Sequence, residues 1–149
     1  MTELRESYEK VLLVDDREPK GLVAKLSAQC TIPIKFERLK TGDYVCDNEI
    51  IVERKTINDF ALSIIDRRLF KQYDRLKEFP HAYIFISGKL GQVKSKISRH
   101  AILGAIAFLA HSKITVIKVE NDDDLIYLIL KIFEQFGKLK VIPNGGKKK

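Results

Sequence analysis

The sequence predicts an α/β domain built around a central mixed sheet flanked by helices. Short apolar runs alternate with stretches of helical periodicity, and Gly and Pro fall at the divisions between them. A chain of 149 residues, 45% hydrophobic and 32% charged, also suits one folded domain with a real core.

The elements follow in order. VLLVD at 11–15 reads as a buried strand, and a helix fits 20–28. Pro33 precedes a strand at 34–39, and two more strands follow at 43–46 (DYVC) and 49–55 (EIIVERK). One long helix is expected over 57–78, closed by Pro80. A strand at 82–87 runs into a loop bracketed by Gly88 and Gly91, then a helix at 97–111 and a strand at 114–119. The last helix, 122–136, can be capped by Asn121 or Asp122, and its early acids suit the helix dipole. No internal repeat or linker interrupts this order, so residues 1–136 read as one domain and 137–149 as a basic, flexible tail.

Composition narrows the function. The formal charge is +7, but five lysines (Lys138, Lys140, Lys147, Lys148, Lys149) lie in the tail, leaving +2 for the rest. Between Glu78 and Glu120 there is no acid, while Lys89, Lys94, Lys96, Arg99, Lys113 and Lys118 all fall there. A single-signed stretch of this kind can attract phosphates. No run approaches the roughly 18–20 apolar residues of a membrane span, and the first residues lack a signal peptide's apolar stretch, so an intracellular location is expected. Cys30 and Cys46 have neither zinc-knuckle spacing nor disulfide density. His81, His100 and His111 are scattered, so any metal chemistry must rest on carboxylates.

VLLVDDRE at 11–18 places acids at the end of the first strand, where two chemistries compete. The octet resembles the start of a response-regulator receiver. That reading needs a phosphoacceptor aspartate at the end of the third strand, because an acyl phosphate requires a carboxylate nucleophile beside a cation. The matching strand ends IIVERKT, with Glu53 and no aspartate, and ITVIKV has Lys118 but no following proline.

The second chemistry is phosphodiester hydrolysis. Asp43 is followed after nine residues by Glu53-Arg54-Lys55, and Asp59 comes four beyond Lys55. An Asp, about ten residues, then Glu-x-Lys is how restriction-type nucleases arrange a magnesium site. Strand alternation explains the spacing: Glu53 and Lys55 point to one face and Arg54 to the other. Magnesium keeps several waters and needs only one or two carboxylates plus substrate oxygens, so Asp43 and Glu53 suffice as metal ligands. Lys55 would position the attacking water or stabilise developing charge. This geometry sets a register condition. A two-residue turn at Asp47-Asn48 would pair Asp43 with Val52 and point the two carboxylates apart, so an odd loop or a bulge is expected instead, with Asp43 opposite Glu53.

VDDRE, Gly42-Asp43-Tyr44, VERKTINDF and SIIDRRLFKQYDRL together resemble the nuclease domain of the XPF/Hef family of structure-specific DNA endonucleases, whose signature is GD followed by ERKxxxD. The resemblance covers about residues 11–136. It implies a restriction-endonuclease-like fold, cutting of one strand near a branch such as a flap or fork, Mg²⁺ or Mn²⁺ as cofactor, and dimers. It places Asp15, Asp43, Glu53, Arg54, Lys55 and Asp59 in the active site, with Arg17 beside them. Many relatives also carry a C-terminal tandem helix-hairpin-helix domain; nothing after Phe136 can form one, so either the chain is an excised domain or grip is expected from the tail, a DNA-binding domain in trans or an accessory protein. DNA affinity should then be weak and salt-sensitive.

Several positions have competing structural roles. Asp59 fits a capping box begun by Thr56, and Arg17 and Arg54 could bridge to Asp15 or Glu18. Arg67, Arg68, Lys71 and Arg75 lie beyond the site, the last three repeating along a helix in a stripe that could track a DNA backbone or simply face solvent. The last helix carries an apolar girdle wider than one core-facing stripe requires, and with AILGAIAFLA before it suggests a homodimer or heterodimer surface on the C-terminal helices. The expected function is a metal-dependent endonuclease acting on branched DNA. The alternatives are a catalytically silent DNA-binding or scaffolding subunit and an unrelated restriction-type or repair nuclease.

Overall fold

In the computed structural model, residues 10–141 are described, and side chains are described as far as 135. Six strands form one mixed sheet: β1 (Leu12–Asp15), β2 (Ile34–Glu37), β3 (Tyr44–Cys46), β4 (Ile50–Thr56), β5 (His81–Ser87) and β6 (Ile114–Val119). The helices are α1 (Lys20–Gln29), α2 (Ile57–Ile65), α3 (Arg68–Leu76), α4 (Arg99–His111) and α5 (Asp122–Val141). The sheet order is β2-β1-β3-β4-β5-β6, with β3 antiparallel to both neighbours and every other pair parallel. The α/β fold class and the strand sequence follow the sequence reading.

The two sheet faces are covered separately. Leu22 and Leu26 of α1 and Leu125, Ile126, Ile129 and Phe133 of α5 pack with Leu12, Val14, Tyr44, Cys46, Ile50 and Val52 on one face. Phe60 and Ala61 of α2, Leu69 and Leu76 of α3, and Ile102 and Leu109 of α4 cover Val45, Ile51, Ile84 and Ile86 on the other. Because both faces of the inner strands are buried, β1, β3, β4 and β5 read as nearly continuous apolar runs that carry charge toward their ends.

Two expectations about helices need correction. The helix expected over 57–78 is two helices, broken where Arg67 adopts a left-handed conformation (φ 68°). Asp66 makes the break: its carboxylate accepts hydrogen bonds from the backbone N–H of Arg68 (3.0 Å) and from Arg68 Nε (2.8 Å), which competes with continuing the helix. The apolar girdle of α5 is covered within the chain: Leu125, Ile126, Ile129 and Phe133 are buried, and Leu128, Leu130 and Ile132 are packed against them. Exposed apolar side chains remain at Tyr127 on α5 and at Leu103 and Phe108 on α4. α5 continues to Val141, while the Phe136 side chain and residues 142–149, including Lys147 to Lys149, lie outside what is described.

The β3–β4 hairpin decides the site. Tyr44 faces Val52 and Cys46 faces Ile50, so the loop is three residues, Asp47 to Glu49. Glu49 N–H donates to Cys46 O (3.0 Å), and the two residues between, Asp47 and Asn48, have φ of 58° and 56°. Asp and Asn are among the side chains that tolerate this left-handed geometry best. The odd loop expected from the carboxylate spacing is therefore present. At the other end of β3, Gly42 has φ +79°, and a Cβ there would lie 2.5 Å from Ile51 Cδ1, so only glycine fits the entry to the strand.

Candidate active site

Carried one residue beyond the paired strands, the register sets Asp43 between Asp15 and Glu53. Backbone hydrogen bonds fix this rung: Asp15 N–H donates to Asp43 O (2.9 Å) and Asp43 N–H to Val52 O (2.8 Å). Alternation along β1, β3 and β4 then gives all three carboxylates and Lys55 the parity of Leu13, Val45 and Ile51, facing α2–α4. Three acids distant in sequence thus share one line across the sheet.

Most acids of the neighbourhood are neutralised by specific partners. Asp15, 2% exposed, accepts from Arg17 Nε (2.9 Å) and Nη2 (2.9 Å), from Arg17 N–H (3.1 Å) and from Leu39 N–H (2.8 Å). Its carboxyl is accordingly held below the usual range, Arg17 outweighing burial. Lys55 is buried, and its Nζ donates to Asp59 Oδ2 (3.0 Å), while Arg68 reaches Asp59 Oδ1 (3.4 Å). Burial pushes Asp59 up, but Lys55 and Arg68 hold it below its ordinary value. The expected cap is also present, Thr56 Oγ1 accepting from Asp59 N–H (3.0 Å), so Asp59 serves helix and ion pair together.

Arg54 Nε donates to Glu18 Oε1 (2.8 Å) and Nη2 to Oε2 (3.3 Å), Tyr44 Oη donates to Glu18 Oε1 (2.7 Å), and Glu18 itself lines the pocket with Asp43 and Glu53. Glu18 was legible only as a bridge partner for an arginine; its charge also acts on Asp43 and Glu53. Truncating Arg54 to alanine would leave this carboxylate, 5% exposed, without its cation. Loss of one partner of a buried pair costs about 3–5 kcal/mol, so Arg54→Ala should lower the urea midpoint strongly, whereas Arg54→Lys should restore part of it.

Asp43 and Glu53 are different. Arg54 and Lys55, the cations that could have neutralised Glu53, are committed to Glu18 and Asp59, and the Glu53 carboxylate makes no hydrogen bond or ion pair among the described residues. Asp43 accepts one bond, from Arg54 N–H (2.7 Å). Burial, then the Glu53 and Glu18 charges, push the Asp43 carboxyl up to about 8. Burial pushes Glu53 up as well, against the pull of Lys55. Two proximate carboxylates short of positive charge line a pocket of ≈ 320 Å³, with Arg75 and Gln72 of α3 on its wall.

No three acids, histidines or cysteines among the described residues converge enough to hold an ion by themselves. The donor set nevertheless fits a hard divalent cation, since magnesium takes one or two carboxylates and fills the remaining positions with water and phosphate oxygens.

The expected basic stripe divides. Arg75 lines the acid pocket and also an adjoining open cleft of ≈ 570 Å³ with Arg17, Arg38 and Lys40. Arg68 is tied to Asp66 and Asp59, Arg67 lies over the Phe70 ring (5.0 Å), and Lys71 is exposed. Arg38, Lys40 and Gln72 were not singled out from sequence. They become visible only when the loop before Gly42 and the helix after the break meet at one pocket.

The ERCC4 domain family model matches residues 14–132. This chain belongs to the ERCC4 domain family. Its curated relatives include the 3′-flap repair endonuclease Xpf of Saccharolobus solfataricus, 28% identical over 128 residues, which cover 84% of this chain and 55% of that protein. A Methanocaldococcus jannaschii protein named ATP-dependent RNA helicase MJ1505 is 34% identical over 125 residues, covering 83% of this chain and 15% of that one. The crossover junction endonuclease MUS81 of Oryza sativa is 36% identical over 91 residues, covering 49% and 14%. The chain thus spans at most about half the length of these relatives. Among solved structures, XPF from Aeropyrum pernix superposes with a TM-score of 0.72 at 25% identity, over 93% of this chain and 64% of that one. Its complex with DNA matches with the same score over 89% and 66%. The ERCC4 domain described here is therefore an XPF/Hef-type nuclease domain related to structure-specific endonucleases. No helix among its described residues is long and apolar enough to cross a membrane.

Proposed function

We propose that this domain is catalytically competent and cuts one strand of branched DNA with the help of Mg²⁺, or Mn²⁺ in its place. The observation that carries the reading is the uncompensated pair Asp43 and Glu53, in a neighbourhood where the other acids have been given cations. A silent scaffold has no need to hold two proximate carboxylates in an open pocket, where their repulsion destabilises the fold. Asp43 and Glu53 would hold the cation, and when bound it supplies an activated water and neutralises charge on the scissile phosphate. Lys55, fixed by Asp59, contributes a positive charge beside Glu53. Asp15 clamps Arg17 at the border between the acid pocket and the cleft.

DNA would enter along that cleft. Lys40 and Arg75 meet no acid among the described residues, so their charge is available to phosphates, while Arg17 and Arg38 are shared with Asp15 and Asp16. Dimerisation, with itself or a related chain, would use Leu103 and Phe108 of α4 with Tyr127 of α5, the exposed apolar side chains of these helices; the α5 girdle from Leu125 to Phe133 is buried or partly buried against the core.

The decisive experiment incubates a labelled flap duplex and a matched linear duplex with the protein, with Mg²⁺ and with chelator. Nicking near the branch, much slower on linear duplex and abolished by chelation, is the expected result. Equal nicking of both substrates would point to a nuclease that does not read branches. Retarded migration of the flap without any nicking would indicate a scaffold.

A further inference from the structure

Gln72 is the polar group of the pocket that neither the motif nor the ion pairs explain. It sits on α3, lines the same pocket as Asp43 and Glu53, and its Oε1 is shut off from solvent with no hydrogen-bond partner among the described residues. An amide oxygen in that state costs about 1–3 kcal/mol, and folded proteins rarely leave such an atom unused. Arg17, Lys40 and Arg75 line the pocket beside the acids, and none of them donates to Oε1. A donor brought from outside the chain would satisfy it.

A hydrated divalent cation brings such donors. Held by only two carboxylates, it keeps several waters, and each offers O–H groups to acceptors around it. The terminal torsion of glutamine is broad, so Oε1 can turn to a water in the adjoining pocket at small cost. We propose that Gln72 is a positioning residue that accepts a hydrogen bond from a water of the cation bound at Asp43 and Glu53. This rests on the metal-dependent reading above and goes beyond it, because the family motif stops at Asp59 and assigns nothing to α3. The break at Arg67 starts the helix that carries Gln72 and Arg75 to the pocket wall.

The test is Mn²⁺ binding, measured by electron paramagnetic resonance or calorimetry without DNA, together with thermal melting of the metal-free protein. Gln72→Met keeps the length and removes the acceptor. It should weaken Mn²⁺ binding about 10-fold, the scale for groups that orient a metal's inner ligands, while leaving the metal-free melting temperature equal or raised, since an unsatisfied polar atom has been removed. Gln72→Glu keeps an acceptor and should bind Mn²⁺ at least as tightly as the parent. Parental affinity in Gln72→Met, or equal weakness in both variants, overturns the role of Gln72 while leaving the metal site standing. If the parent itself binds no Mn²⁺, the metal reading and this inference fall together, and the Glu53→Gln control identifies that case by matching it.

Discussion

Glu53→Gln is expected to reduce nicking of a flap substrate by at least about 10²–10³-fold, the scale for losing one well-placed electrostatic group at a reacting centre, and yet to make the metal-free protein more stable. Both effects have one cause. Glu53 is an acid without a neutralising partner, set against Asp43 and within the field of Glu18, and its carboxyl is pushed up by burial. A neutral amide of the same shape removes that repulsion and the desolvation of a charge, which is worth about 1–3 kcal/mol. It would also remove one ligand of the proposed cation. Single-turnover cleavage and thermal melting on the same preparation read the two signs. A variant that still cuts at the parental rate, or that melts well below the parent because a structural contact was lost, would show that the side chain belongs to the scaffold.

Raising the pH from 5 to 8 should destabilise the metal-free domain, with Asp43 as the main origin. In the folded chain this carboxyl holds its proton to about pH 8, against an ordinary value of 3.8. Between those values the folded state binds more protons than the unfolded one, so stability is highest at the acid end and is lost as pH rises, levelling off above about 8. One proton held across one pH step is worth at most about 1.36 kcal/mol, which bounds the loss over this range at about 4 kcal/mol. Glu53 titrates with Asp43, so the loss belongs to the pair. Asp43→Asn should flatten the slope. Saturating Mg²⁺ should flatten it too, because a cation then takes the place of the proton and favours the folded state. Urea midpoints across this range, with and without the ion, measure both effects. A slope shared unchanged by Asp43→Asn would assign it elsewhere.

Much of this was legible in the residues. The hairpin was constrained by the need for Asp43 and Glu53 to face together, which pointed to an odd loop or a bulge against the two-residue turn that Asp47-Asn48 alone would allow. The face shared by Glu53 and Lys55 followed from strand alternation alone. The helix break was hidden, because no glycine or proline marks it; the Asp66 carboxylate causes it through a bond to the backbone two residues on, and such local competition leaves little trace in periodicity. The burial of the α5 girdle was hidden as well, since one helix cannot reveal that α1 and the sheet enclose it from two sides. Gln72 carries no charge and sits in a run of basic residues, so composition drew attention to its neighbours.

The three-residue connection between β3 and β4 also has an evolutionary reading. Its length decides whether Asp43 shares a face of the sheet with Glu53, and β3 is buried on both faces with Tyr44, Val45 and Cys46. Loss of a single codon there would reverse that short strand and carry one ligand to the far side, while every other acid, the basic cleft and most of the interior stayed in place. If the proposed function holds, a cutting arm and a mute companion would be one deletion apart on this scaffold.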